Sequence, residues 1–165
     1  MTVLYFGGQK SGKSFLAERR ALYLSRGRED PIYIATYDNS FGDAQMQSKI
    51  DEHKARRDDY FVTIEESRAI SMPIVAGKVY LIDCINMWIF NTLDWDMEML
   101  LHEINTVVSA GSDIVFVLND VSSGIIPADK ISREYVDRVG IIGQKIVRIC
   151  DEVFEVKFGL ENRLK

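Results

Sequence analysis

The sequence predicts an α/β domain, with a mainly parallel sheet and helices on both faces. Three observations predict it. Continuous apolar runs recur at residues 2–6, 32–36, 79–83 and 113–118, and such runs read as strands buried on both faces. Segments with helical spacing lie between most of them. A glycine-rich stretch follows the first run directly, where a strand would hand over to a helix. Strands alternating with helices imply βαβ units and one layered domain. The length of 165 residues, 47% hydrophobic and 27% charged, fits a single globular domain.

Each element follows in order. Residues 2–6 are short, apolar and bounded by glycine, as a buried strand requires. Residues 11–25 place Phe15, Leu16, Leu22 and Leu24 among charges at helical spacing, and Gly27 stops that helix. Pro31 precedes the second strand, 32–36. Residues 37–42 are polar and glycine-bearing, hence a loop. Residues 43–57 predict a strongly polar helix with Met46 and Ile50 as its few core candidates. Residues 60–65 alternate as a strand does. The strand at 79–83 ends in an acid. Residues 85–93 and 96–110 read as helices, 113–118 as a strand, and 131–150 as a long helix interrupted near Gly140 or Gly143. Residues 152–158 form the last expected strand. The polar segment 37–60 reads as an active-site excursion, and the chain shows no repeat or linker.

Composition excludes some functions. A formal net charge of −5 argues against general nucleic-acid binding, which needs a basic face to neutralise phosphates. Cys84 and Cys150 follow apolar stretches outside any CxxC or zinc-type spacing, and read as reduced core thiols. The N-terminus lacks the features of a signal peptide. No apolar run reaches the ~18 residues of a membrane span. The expected location is cytoplasmic.

The residues that carry chemistry begin at Gly7-Gly8-Gln9-Lys10-Ser11-Gly12-Lys13-Ser14, a complete GxxxxGK[ST] motif between a strand and a helix. That is the phosphate loop of P-loop NTPases. Its glycines let successive N–H groups turn inward around phosphates, and the helix N-terminus adds partial positive charge. Lys13 reaches the β- and γ-phosphates, and Ser14 offers its hydroxyl to Mg²⁺. Asp83 ends its strand where ligand groups gather in open α/β sheets. It fits a Mg²⁺-holding acid; it also fits a helix N-cap, and the two roles are compatible. His53 lies one helical turn from Lys49 and from Arg57. Neighbouring cations favour its neutral, nucleophilic form. On spacing alone it equally reads as a solvated helix face. Residues 119–127, from Asn119 to Pro127, bring polar groups to the same sheet edge or form a plain strand-to-helix loop. His102 reads as structural.

Taken in order, these blocks resemble the bifunctional adenosylcobinamide kinase / adenosylcobinamide-phosphate guanylyltransferase family. The resemblance rests on the phosphate loop, Tyr33 to Thr36, Met46 with Lys49-Ile50 and His53 to Arg57. It continues through Thr63 to Glu65, Asp83 to Trp88 with Asn91, Asn119 to Pro127, Arg133, Asp137, Gly140 and the tail from Gly159. It implies phosphorylation of adenosylcobinamide by ATP or GTP, then transfer of GMP from GTP to adenosylcobinamide phosphate through a guanylyl-histidine. His53 occupies the family's histidine position. Lys54, Ala55, Arg56, Arg57 and Glu65 resemble its guanine-nucleotide contacts, and Ile34, Ala35 and Thr36 fall where the family also touches nucleotide. The resemblance also implies Mg²⁺ and a homo-oligomer, with a trimer as the expected form.

Five positions depart from the family pattern. Lys49 stands for arginine, Asp120 for glutamate, Ser122 for glycine, Gly143 for asparagine, and Asn86 for a hydroxyl residue. They fall near the expected cobinamide side. The alternatives are an enzyme retaining one of the two activities, a kinase for another small alcohol, or a non-catalytic GTP-binding regulator.

Overall fold

The computed structural model describes residues 1–38, 59–121, 124 and 126–165. Within them the chain runs β1 (Thr2–Gly7), α1 (Lys13–Leu24), β2 (Ile32–Ala35), β3 (Val62–Glu65), β4 (Val79–Asp83) and α2 (Ile85–Asn91). It continues through α3 (Met97–Ser109), β5 (Asp113–Asn119), α4 (Lys130–Ile149), β6 (Glu152–Lys157) and β7 (Leu160–Arg163). The strands form one sheet in the order β3-β2-β4-β5-β1-β6-β7. Every pairing is parallel except the β6–β7 hairpin.

Strand alternation divides the core into two layers. Val3 and Tyr5 of β1, Leu81 of β4, and Val115 and Val117 of β5 pack on α1 through Ala17 and Ala21. Leu4, Ile82, Ile114 and Phe116 face the other way, onto Trp88 of α2, Leu100 and Ile104 of α3, and Ile142 and Ile146 of α4. Small residues on α1 let that single helix lie close to the sheet. Among the described residues, the other face holds three helices and the larger side chains. The expected arrangement of helices on both faces is what the molecule has.

The helices start where capping chemistry places them. The Asp96 side chain accepts from the Met99 N–H at 2.8 Å and opens α3. Asp129 accepts from the Ser132 N–H at 2.8 Å and opens α4. Leu100, Ile104 and Val107 then fall on one buried stripe of α3.

Three expectations need correction. The interruption predicted near Gly140 or Gly143 is absent, and α4 runs unbroken for 20 residues. Glycine in a helix interior costs about 1 kcal/mol relative to alanine, and the tertiary contacts of α4 override that cost. At Gly143 a Cβ would press on Leu118 Cδ2 at 3.3 Å, so a small residue lets the helix approach β5. Second, α2 ends at Asn91 rather than 93; the Thr92 hydroxyl donates to the Trp88 carbonyl at 2.7 Å and closes the helix there. Third, the last expected strand stops at Lys157, and a hairpin follows. Phe158 (φ 52°) and Gly159 (φ 80°) are both left-handed, the two-residue turn whose twist suits an antiparallel return. The polar helix expected at 43–57 lies outside the described residues, as does most of the 37–60 excursion.

The topology gathers the strand ends that matter. Gly7 of β1 sits opposite Asn119 of β5, and Ala35 of β2 sits opposite Asp83 of β4. All four therefore reach the same edge of the sheet.

Candidate functional site

The loop after β1 is shaped by three residues. A Cβ on Gly7 would lie 2.2 Å from the Val156 carbonyl oxygen, so β6 leaves room for glycine only. Lys10 (φ 56°) and Gly12 (φ 95°) take left-handed conformations that turn the chain back on itself. The Asp120 N–H donates to the Gly7 carbonyl at 2.9 Å, and the Ser11 N–H to the Gly8 carbonyl at 3.2 Å. The Gly159 N–H donates to the Ser11 carbonyl at 2.7 Å, so the hairpin turn clamps the loop from the β6 side. Ser11 is buried, and its hydroxyl has no partner among the described residues.

Gly12 caps α1 without a side-chain hydrogen bond. The first-turn N–H groups of α1 therefore face the loop uncapped by any side chain at Gly12, which is the condition for holding an anion. Lys13 is 7% exposed, and its Nζ donates to the Gly8 carbonyl at 3.2 Å. Burial pushes its pKa down, while the nearby Asp83 and Cys84 oppose that shift. An ammonium has three donors, and the one described bond leaves capacity for phosphate oxygens.

Asp83 ends β4 beside this lysine. Its Oδ2 accepts from the Tyr33 hydroxyl of β2 at 2.7 Å, which uses one carboxylate oxygen and fixes the group. The Asp83–Cys84 peptide is cis. Thr36 spans Cys84, donating its hydroxyl to the Cys84 carbonyl at 2.8 Å and accepting from the Cys84 N–H at 2.9 Å. Asn91 of α2 donates to the Thr36 carbonyl at 2.7 Å and to the Ser67 carbonyl at 3.1 Å. Asn86 joins β5 to α2: its amide donates to the Asn119 carbonyl at 3.1 Å, and its Oδ1 accepts from the Asn119 N–H at 2.5 Å. Burial and the Asp83 charge raise the Cys84 thiol pKa to about 12.

The structure therefore brings together Gly7 to Ser14 and Asp83, as the motif reading expects. Ser14 is half-buried in the first turn of α1, and Asp83 is half-buried at the end of β4. Ile34 is buried in the α2–α4 layer, and the Thr36 side chain is occupied within the protein. Glu65 stands exposed at the end of β3. His53, Lys54, Ala55, Arg56, Arg57 and Lys49 lie outside the described residues, as does Ser122. Sequence reasoning missed the supporting roles of Tyr33, Asn91 and Gly159. Tyr33 carried a signal: a tyrosine within an otherwise aliphatic buried strand needs a partner for its hydroxyl.

A family model described as cobinamide kinase / cobinamide phosphate guanyltransferase matches residues 3–164. The chain belongs to this family. Its relatives include the bifunctional adenosylcobalamin biosynthesis protein CobP of Pseudomonas aeruginosa, 34% identical, with 100% of this chain and 98% of that protein covered. The bifunctional adenosylcobalamin biosynthesis protein CobU of Escherichia coli is 26% identical over the full length of both. Among solved structures, the flagellar accessory protein FlaH from Methanocaldococcus jannaschii superimposes with a TM-score of 0.57 at 14% identity, covering 99% of this chain and 77% of that one. That likeness is one of fold alone. Cobinamide kinase / cobinamide phosphate guanyltransferase chemistry is group transfer.

Proposed function

We propose that this chain phosphorylates adenosylcobinamide with ATP or GTP, then transfers GMP from GTP to adenosylcobinamide phosphate, giving adenosyl-GDP-cobinamide. The observation that carries the reading is the buried Lys13, set in a glycine loop at the head of α1 with Asp83 beside it.

In the first step the acceptor hydroxyl oxygen bonds to the γ-phosphorus and releases its proton to solvent, while the bond from that phosphorus to the β–γ bridging oxygen breaks and the nucleoside diphosphate leaves. Loop N–H groups and Lys13 neutralise charge gathering on the phosphate oxygens, and they act strongly because they are preorganised and desolvated. In the second, a neutral His53 nitrogen bonds to the α-phosphorus of GTP and pyrophosphate leaves. A phosphate oxygen of adenosylcobinamide phosphate then displaces the histidine. Lys54, Ala55, Arg56, Arg57 and Glu65 are assigned to the guanine nucleotide; Ile34 and Thr36, both fully buried, support β2 from within the core and do not touch it, which leaves Ala35 at the strand end as the partly exposed member of that trio.

Ser14 and Asp83 suit Mg²⁺, which takes few protein oxygens and keeps waters and substrate phosphates. Among the described residues no group of three or more His, Cys, Asp or Glu is placed to hold a metal ion by itself. When bound, Mg²⁺ would supply charge neutralisation between the phosphates. Exposed Phe158 (88%), Leu160 (75%) and Phe15 (53%) near the loop support a homo-oligomer, with a trimer as the expected form. No helix among the described residues is long and apolar enough to cross a membrane, and the proposed location is the cytoplasm.

The test is covalent trapping with α-labelled GTP and Mg²⁺. The expected label is lost in acid, survives base, and is absent in His53→Ala. Labelling that persists in His53→Ala would remove His53 from this role. No label on a wild-type chain that binds GTP tightly would remove the transferase step.

A further inference from the structure

On the α4 side of the sheet, a cavity of about 190 Å³ opens between α4 and the carboxyl ends of β1 and β5. Leu118, Phe6 and Val139 give it apolar walls, and Asp120 and Gln144 supply polar groups. It adjoins the phosphate loop. Phe6 lines it one residue before Gly7, and the Asp120 N–H holds the Gly7 carbonyl.

Gly140 is what makes the cavity informative. It lies inside a continuous helix, and its φ is not left-handed. A Cβ there would meet nothing within 4 Å. Neither backbone conformation nor packing against a described residue calls for glycine. Gly143, one turn on, does have a packing reason in Leu118. The space at Gly140 is open among the described residues and has room for a ligand group. A cavity of order 150 Å³ holds a benzene-sized group, so this one takes one arm of a larger molecule. The Gln144 amide, with no hydrogen bond among the described residues, offers both a donor and an acceptor to a neutral group.

We propose that this cavity receives an uncharged arm of the acceptor, with apolar body and carboxamide end, and so sets which acceptor is phosphorylated beside the loop. The inference rests on the proposed function, since cobinamide is a macrocycle bearing neutral carboxamides.

Gly140→Leu fills the cavity without touching the phosphate loop. The expected result is a rise of about tenfold in the KM for adenosylcobinamide, the scale of a blocked apolar pocket. The KM for ATP or GTP should stay within about twofold on the same scale. The melting temperature should not fall, because a helical glycine has been replaced. Gln144→Leu should raise the same acceptor KM with less effect on kcat. An unchanged acceptor KM in an active Gly140→Leu enzyme overturns the inference and leaves the proposed function standing. A nucleotide KM that rises instead also overturns it, by assigning the cavity to the nucleotide. A wild-type chain that never transfers phosphate to adenosylcobinamide removes both. Should Gly140→Leu fail to fold, Gly140→Ala adds one methyl group to open space and is read in the same way.

Discussion

The two sides of the carboxyl end of β1 are built from opposite materials. On the α1 side a lysine is buried with one described hydrogen bond to a carbonyl, a serine hydroxyl is buried without a partner among the described residues, and a carboxylate stands close by. On the α4 side, aliphatic walls and a helical glycine leave an open space. The same strand supplies both, because Val3 and Tyr5 face one way and Leu4 and Phe6 the other. Gly7 is the boundary. The difference teaches how one sheet edge separates two tasks. Charge is concentrated where desolvation strengthens it, and a neutral group is recognised by shape one strand-face away.

The largest expected effect comes from removing the charge. Lys13→Met should lower kcat for phosphoryl transfer by about 10²–10³-fold without lowering the melting temperature, since the lysine is held against a desolvation cost. Steady-state kinetics and calorimetry check this together. A variant that keeps its rate would break the distinction between the two sides.

The next effect concerns the clamp on the loop. Gly159→Val forces a β-branched residue into φ 80° and should cost about 1–2 kcal/mol in a urea midpoint. It should also weaken GTP in equilibrium binding while leaving the acceptor KM near its wild-type value. If both substrates weaken equally, the two sides are not independent.

The last effect is read as a slope against pH. The Cys84 thiol is raised from 9.0 to about 12 in the folded chain, and Cys150 likewise. Their stabilising contribution is complete below pH 9 and is lost as pH rises towards 12, at up to roughly 1.4 kcal/mol per pH unit per site. Lys13 acts in the opposite sense. Its folded pKa is depressed, so the native state binds fewer protons and stability rises with pH up to about 10.5. Urea midpoints between pH 8 and 11 should show a shallower alkaline loss in Cys84→Ala. The slope is the readout, and an unchanged slope would mean that the thiol is solvated.

Where side chains alternate or run apolar, the sequence spoke clearly. The strands β1, β2, β4 and β5 and the phosphate loop were legible because burial and glycine geometry leave few other readings. The hairpin strand β7 was not. All four of its residues are exposed, so no pattern marks it, and its pairing depends on the Phe158–Gly159 turn. The unbroken α4 was missed because glycine propensity is local and the contact with Leu118 is not. Within the site, Lys13 and Asp83 came from position along the chain. The Tyr33 bond to Asp83 depends on the β2–β4 register, which no run of residues encodes alone.

The order of the strands has a consequence for how this molecule is born. β1 comes first in the chain, yet its partners β5 and β6 begin at Asp113 and Glu152. At synthesis rates of about 5–20 residues per second, the phosphate loop waits roughly five to thirty seconds before the strand beside it and the turn that clamps it exist. Over that interval an apolar segment, Val3-Leu4-Tyr5-Phe6, has no sheet to enter. Nascent chains of this protein should therefore lean on chaperones early, and acquire affinity for nucleotide late and all at once.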